Sequence, residues 1–527
     1  MRTRYSNAVH FSFSLFSLPL ILTLAIGCES MNEKKIAAWP HGVYYEIFVQ
    51  SFYDSNQDGI GDINGLIQKL DYVHDLGVNG VWLMPVMPSP SYHKYDVTDY
   101  KGIHPDYGTL EDFKNFVKQA HQRNLKVIVD MIMNHVSIQH PWFQQAVENP
   151  DGPYRDYFIW ADRDSIENEI AKKEITLDSD NITQWHPVNG DVEGEHYYGF
   201  FNSDMPDLNF DNPAVRNEFI EIGRFWFGQM QIDGFRLDAA KHIYPDDRAE
   251  DNHAFWEWFR AEMEKIKPDV YMVGEVWSPA PEVAPYLKGI PALFNFDLGV
   301  AIIKAVNAEK DTMGLVKTYK TISDYYQSVT SEYLDATFLT NHDQNRILSS
   351  LKGNKAKMRS AISILMTLPG TPYIYYGEEI GMLGVKPDEH IREPFLWDSK
   401  GKDPGQTHWI DAVYSSEKRV KPLSTQLNDT SSLYHFYRQW IHRRNASHVL
   451  SYGELKNTEI RNSKVISFIR SNETESYLVL HNISSKLVNL KLPETVSTYK
   501  HIYYTSSEAS IDHNQCTLPP HSTLILN

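Results

Sequence analysis

The chain has 527 residues, enough for roughly two to four domains around a large buried core. Lys and Arg number 50 against 68 Asp and Glu, a net charge of −18 at a pI near 5.6, which excludes the basic excess expected of a nucleic-acid binder. Its two cysteines, Cys28 and Cys516, are too few for disulfides to carry the fold, and aromatics make up 13% of residues, with flat faces on which sugar rings stack well.

Residues 1–27 read as an export signal and are set apart from the fold: Arg2 and Arg4 precede a mostly apolar run over residues 11–26. The segment AIGC resembles a bacterial lipoprotein cleavage box, with Cys28 as the lipidated first residue of the mature chain, although Ala25 stands where such boxes usually have Leu. The expected address is the bacterial cell envelope, with a secreted or periplasmic protein as the alternative. An acylated Cys28 would leave Cys516 without a partner in the chain. No later segment has the roughly 18 apolar residues needed to span a bilayer, so membrane contact is expected only through that anchor.

From about residue 42, apolar strand-like runs alternate with amphipathic helical stretches, the pattern of a parallel sheet with crossover helices. Eight strand runs can be read: VYYEIFVQSF, GVNGVWLMPV, LKVIVDMIMNH, IDGFRLDAA, VYMVGEVW, ALFNFDLG, LDATFLTNHD and TPYIYYGEE. Between them, stretches such as TLEDFKNFVKQAHQRN and NPAVRNEFIEIGRFWFGQM repeat apolar residues at spacings of three and four. The fold class is α/β, a (β/α)8 TIM barrel over residues 38–135 and 205–446. Residues 136–204, rich in Asp, Asn, Trp and Tyr, are far too long for a βα connection and predict a small domain inserted after the third strand. Residues 447–527 switch to short alternating runs and predict a separate antiparallel β-sandwich domain.

After the first strand, DSNQDGIGD sets Asp54, Asn56, Asp58 and Asp62 at every second or fourth position, a cluster of hard oxygen donors that suits calcium. It is not an EF-hand loop, because the twelfth position is Gly65 rather than Glu; the bland alternative is an Asx-rich turn.

Three acids close three of the strand runs: Asp238 in GFRLD, Glu275 in YMVGEVW and Asp343 in FLTNHD. In a barrel of this kind the C-terminal strand ends face one common site, whatever their separation in sequence. Acetal hydrolysis needs one carboxyl that gives up a proton and another that is ionised, and crowded like charges help push pKa values apart. Any one of these acids alone reads as a turn former or helix cap. Arg236 and His342, each beside an acid within its motif, can orient a carboxylate and hydrogen-bond sugar hydroxyls.

With GVNGVWLMPV, DMIMNH, MPDLN and GTPYIYYGEEIGM in the same order, the chain resembles the α-amylase family of glycoside hydrolases over nearly all of the mature sequence. The resemblance implies Asp238 as nucleophile of a covalent glycosyl-enzyme, Glu275 as acid and then base, and Asp343 as a third carboxylate holding sugar hydroxyls. It further implies that Arg236 positions the nucleophile, that His135 and His342 bind hydroxyls, and that Tyr95 stacks on the scissile sugar. Lys241 and His242 look like the pair that contacts the sugar on the leaving side. The loop match adds the backbone carbonyl of Ile60 to a calcium site. A second calcium site of the family is matched by Asn134 but not by Asn209, which replaces an aspartate. Exo-acting glucosidases tend to have Asp three residues before the stacking tyrosine, and here that residue is Tyr92. MPDLN resembles an intermediate branch between oligo-1,6-glucosidases and neopullulanases. The expected activity is retaining, endo-type hydrolysis of α-1,4 bonds in starch and maltooligosaccharides. The alternatives are an exo-acting α-glucosidase or oligo-1,6-glucosidase, a cyclomaltodextrinase-like enzyme, and a transglycosylase. Oligomeric state stays open.

Overall fold

The computed structural model describes residues 36–170, 172–174, 182–399 and 401–527. The export segment and Cys28 lie outside the described residues. Eight parallel strands close into a barrel: β1 (Tyr44–Ile47), β2 (Gly80–Leu83), β3 (Lys126–Ile132), β4 (Gly234–Asp238), β5 (Tyr271–Gly274), β6 (Ala292–Phe294), β7 (Leu334–Phe338) and β8 (Thr371–Tyr375). Each pairs with its neighbours in chain order, and β8 closes onto β1 with Tyr44 opposite Tyr373. Because helices cover the outer face, nearly every strand residue is buried on both sides, which is why the runs are continuously apolar rather than alternating.

Side chains alternate along a strand, so residues two apart share a face. Tyr44, Trp82, Ile128, Tyr271, Val273, Phe294, Phe338 and Tyr373 form one cluster filling the barrel's interior. Tyr44 stacks on Tyr271 and Tyr373 at ring distances of 6.2 and 5.2 Å. On β4 the corresponding position is Gly234, whose missing Cβ would fall 2.6 Å from the Tyr271 carbonyl oxygen, so β5 approaches where only glycine fits. One step further toward the C-terminal rim, the same inward faces carry Glu46, Asp130, Arg236 and Glu275. The barrel thus has an aromatic floor with a charged layer above it, and the Arg236 guanidinium sits 5.2 Å from the Trp82 ring centroid.

Local signals fix the surrounding helices. Asp62 caps the helix Ile63–Leu76 by accepting from Gly65 N, and Gly77 ends it at φ 99°. Thr109 and Asp112 form a capping box at the start of Leu110–Gln122. The helix Pro213–Gly223 runs on through a wider π-type turn, Arg224–Gln229, instead of stopping.

After β3 come the helix Pro141–Glu148 and an antiparallel three-stranded sheet of Trp160–Asp162, Glu195–Tyr198 and Trp185–Pro187. At the C-terminal end, a short helix, His448–Tyr452, capped by Ser447, precedes the first strand at Glu454, so the β region begins slightly later than the change in sequence pattern at 447. A five-stranded and a three-stranded antiparallel sheet follow. Leu478, Leu480, Leu524 and Leu526 pack between the two sheets with Leu518 and Cys516, while the alternate residues Val479 and Ile525 join the barrel's outer core. Arg470 fastens the contact by donating to the carbonyls of Thr367, Leu450 and Gly453. Cys516 is buried, and burial pushes its thiol up to about 11. No described helix is long and apolar enough to cross a membrane.

Candidate active site

Arg236 is the hub. Only 1% exposed, it donates through Nη1 to Asp130 Oδ1 at 2.9 Å and to Asp238, and through Nη2 to Glu275. One guanidinium fork therefore sets the two strand-end acids relative to each other, a task that needs its planar geometry rather than a point charge. Asp130 is further held by the Tyr95 hydroxyl at 3.1 Å and Trp82 Nε1 at 3.3 Å. Burial raises the Asp130 carboxyl to about 6, with Arg236 opposing the rise and Asp238 adding to it.

The chain turns sharply after Asp238. Ala239 has φ 44° and ψ 41°, a left-handed conformation that a residue with a Cβ adopts at a cost, and Ala240 N donates to Glu275 O at 3.0 Å. The ends of β4 and β5 are thereby tied together, and the next turn presents Lys241 and His242. Lys241 Nζ lies 3.4 Å from the exposed Asp246, and His242 stacks on Phe200 at 4.2 Å, linking the barrel rim to the inserted region.

Asp343 is held from two sides, by His342 Nε2 and Arg392 Nη2, each at 3.0 Å. Burial works against its charge, but His342 and Arg392 overcome that and keep the carboxyl well below the usual range. His342 also meets Tyr95 Oη at 2.6 Å and Glu46 Oε1 at 2.6 Å. Burial would neutralise it; Asp343 and Glu46 instead raise it to about 10. Its ring lies nearly parallel to Tyr95, 5.6 Å away. His135 is buried, with Nδ1 3.0 Å from Asn134 Oδ1 and Nε2 without a well-formed hydrogen bond among the described residues. Burial lowers its pKa, against the pull of Asp238 and Asp96.

Together the carboxyls of Glu46, Asp130, Asp238, Glu275 and Asp343 face the cations Arg236, His342 and Arg392. Acids outnumber cations, so the rim favours a developing positive charge, as an oxocarbenium-like centre requires.

Tyr92 lies on the Arg392 side of this cluster. Its hydroxyl accepts from Arg392 Nη1 at 3.3 Å, and its ring stacks on Trp409 at 5.4 Å and 18°. Where an acidic wall would narrow the site, an aromatic pair, partly exposed, stands beside a cation.

The oxygen-rich loop curls on itself. Asp54 accepts from the N–H groups of Asn56, Gln57 and Gly59. Asn56 accepts from Asp58 N, and Asp58 from Ile60 N. Asp62 takes Ser55 N and Gly65 N. Among the described residues no three His, Cys, Asp or Glu side chains converge as a metal group. The donors are nonetheless all hard oxygens, with lone pairs beyond those used by the loop, and so fit calcium chemically. Asn134, which fits the second site, and Asn209, which stands in place of an aspartate there, bond to different partners: Asn134 Nδ2 to Asp207 at 3.1 Å and Asn209 Nδ2 to the Asp156 carbonyl at 3.1 Å.

The family described as alpha amylase, catalytic domain, matches residues 46–453, and that of the α-amylase SusG C-terminal domain matches residues 465–525. The chain belongs to the α-amylase family of glycoside hydrolases. It is 41% identical over 488 residues to alpha-amylase 3 of Dictyoglomus thermophilum, covering 93% of each chain. It is 34% identical over 446 residues to the 4-alpha-glucanotransferase of Thermotoga neapolitana, covering 84% of this chain and 95% of that one. Among solved structures, the α-amylase of H. orenii matches with a TM-score of 0.83 at 43% identity, over 92% of this chain and 99% of that chain.

Several residues of this α-amylase family site escaped the sequence reading. Asp130 lies in the quoted run DMIMNH and Glu46 in VYYEIFVQSF, where polar residues in buried strands were the available signal. Arg392 and Trp409 lie in the long segment after β8, which has no periodicity to mark them.

Proposed function

We propose that the enzyme hydrolyses internal α-1,4-glucosidic bonds of starch and maltooligosaccharides with retention of configuration. The observation that carries this is the Arg236 fork holding Asp238 and Glu275 together while Asp343 is held ionised opposite them. Asp238 attacks the anomeric carbon as Glu275 protonates the departing glycosidic oxygen, which gives a covalent glycosyl-enzyme and a free reducing-side sugar. Glu275, now ionised, takes a proton from water, whose oxygen displaces Asp238 and restores both acids. Asp343 and His135 hold hydroxyls of the reacting sugar with His342 backing Asp343, Tyr95 faces its ring, and Lys241 and His242 contact the leaving side. The Tyr92–Trp409 pair offers an apolar face for the next sugar along.

Internal cleavage is read from products. Early mixed maltooligosaccharides from amylose are expected, followed by chromatography, with little action on panose. Glucose alone from the start, and rapid glucose from panose, would move the enzyme to the exo-acting glucosidases. Transfer to a sugar in place of water is the second reading, supported by the similarity to a relative named 4-alpha-glucanotransferase. Products longer than the substrate at high maltotriose concentration would carry that reading.

Asp54, Asn56, Asp58, Asp62 and the Ile60 carbonyl would hold a calcium ion, which neutralises the crowded oxygens and fixes the loop that starts the helix Ile63–Leu76. Calcium at 100-fold over its Kd should stabilise the fold by about 2.7 kcal/mol. A chelator should lower the melting temperature of the native enzyme but not of Asp54→Ala. Identical melting of the native enzyme in calcium and in chelator would remove calcium from the account.

The segment ending in Cys28 supports export and lipid anchoring at the cell envelope, where the enzyme would cut polysaccharide too large to enter. Cys28→Ser should release the enzyme into the soluble fraction, and unchanged membrane association would exclude the anchor.

A further inference from the structure

Both ring nitrogens of His342 face carboxylates. Nδ1 is 2.6 Å from Glu46 Oε1 and Nε2 is 3.0 Å from Asp343 Oδ2. A neutral imidazole carries one proton, so either tautomer would set a nitrogen lone pair against a carboxylate oxygen at hydrogen-bond distance. Protonated at Nδ1 alone, the ring serves Glu46 and can accept at Nε2 from Tyr95 Oη, but with that lone pair 3.0 Å from Asp343 Oδ2; the doubly protonated ring instead sets a positive charge against both carboxylates. As an imidazolium it donates at Nε2 toward Tyr95 Oη, 2.6 Å away, and the Tyr95 hydroxyl is then free to donate to Asp130 Oδ2 at 3.1 Å. Asp130 in turn accepts from Arg236 Nη1, the fork that holds Asp238 and Glu275. An unbroken chain of hydrogen bonds therefore runs from Glu46 on β1 to the reacting acids.

We propose that Glu46 is a positioning residue of the hydrolytic site: its carboxylate, at the inner face of β1, holds His342 as a two-donor imidazolium and so sets Tyr95 and Asp343. The inference rests on the reading of Asp238 and Glu275 given above and adds a residue to it. Glu46 does not meet the sugar; it acts through His342. With a neutral partner the Nε2 proton could be lost. Nε2 would then accept from Tyr95, drawing that hydroxyl off Asp130, and would repel Asp343.

The charges around His342 are Glu46 from β1, Asp343 beside it, Asp130 from β3 with Arg236 from β4, and Arg392, whose Nε donates to the His342 carbonyl at 3.1 Å. The Tyr95 hydroxyl and the Trp82 ring complete its contacts, and Glu378 after β8 senses the Glu46 charge from the other side. The two contacts that favour the proton most are Asp343 and Glu46, and the first must stay for substrate. For a histidine raised from 6.5 to about 10 in the folded protein, the stabilisation is fully present below about 6.5 and lost as pH rises through about 10.

The test is Glu46→Gln in the full-length enzyme, with histidine labelled by nitrogen-15 and His342 identified by the signal lost in His342→Gln. In the native enzyme at pH 8, both His342 nitrogens should carry protons. In Glu46→Gln the second proton should leave about one to three pH units lower. On a maltooligosaccharide, kcat should fall between about tenfold and 10⁴-fold, the upper figure being the loss when an orienting carboxylate behind a histidine becomes an amide. Glu46→Asp should restore part of both. A neutral His342 in the native enzyme at pH 8 would overturn the proposal, as would a Glu46→Gln enzyme that keeps native titration and native kcat. If Glu46→Gln does not fold, the native titration and Glu46→Asp decide it: an imidazolium at pH 8, lost at lower pH in Glu46→Asp, supports it, and unchanged titration overturns it. Failure of the Asp238 and Glu275 assignments would be seen in those variants, not in the protonation of His342.

Discussion

Asp238→Asn is expected to lower kcat on maltooligosaccharides by about 10⁴-fold or more, the scale seen when one member of a catalytic constellation is removed, with little loss of folding. The amide cannot form the covalent ester, so no other group in the site replaces it. The fold should survive because Arg236 keeps Asp130 and Glu275 as partners, and a buried cation with two carboxylates is still paired. Replacing Arg236 would be a poorer test. It would leave three carboxyls around an emptied position, and breaking such a buried set costs about 3 to 5 kcal/mol, so lost activity would be confounded with lost structure. Measured kcat should therefore drop in Asp238→Asn while the thermal midpoint moves little. Substantial residual turnover in a well-folded Asp238→Asn enzyme would mean that another group is the nucleophile.

Glu275→Gln should show a split that depends on the leaving group. With a maltooligosaccharide the departing sugar oxygen needs a proton, and turnover should fall by about two to four orders of magnitude, the usual contribution of general acid catalysis. With α-maltosyl fluoride the leaving group needs no such help, so the first step should persist. The second step should then be slow, because no base activates water, and the covalent intermediate should accumulate. An equal loss on both substrates in the first step would mean that Glu275 positions the sugar rather than moving a proton.

How much of this could be read from the chain depended on which faces the residues occupy. Asp238, Glu275 and Asp343 stood out because each is a charge ending an apolar run, and a barrel brings such ends together. Glu46 and Asp130 obey the same geometry, two residues beyond the interior-filling Tyr44 and Ile128. They did not stand out because strands buried on both faces carry no alternation from which an inward position can be counted. Arg392 and Trp409 come from a segment whose path is set by tertiary contacts: Arg392 Nε on the His342 carbonyl, and Trp409 Nε1 on Ser51 Oγ at 2.7 Å. No local pattern announces such contacts. Asp62 was legible as an oxygen donor, yet its place as the helix cap, accepting from Gly65, required the backbone.

Position 92, where exo-acting glucosidases tend to have Asp, is Tyr. The structure puts the stacked Tyr92 and Trp409 rings there, with Arg392 fixed between Tyr92 and Asp343. The cation keeps Asp343 ionised, and this side of the site is shaped by residues far apart in sequence.

The most direct measurement of the central claim is mass spectrometry of Glu275→Gln quenched during reaction with α-maltosyl fluoride. The account predicts a protein heavier by one maltosyl group, carried on the peptide containing Asp238. Fluoride release without any adduct, or an adduct on a different residue, would contradict it.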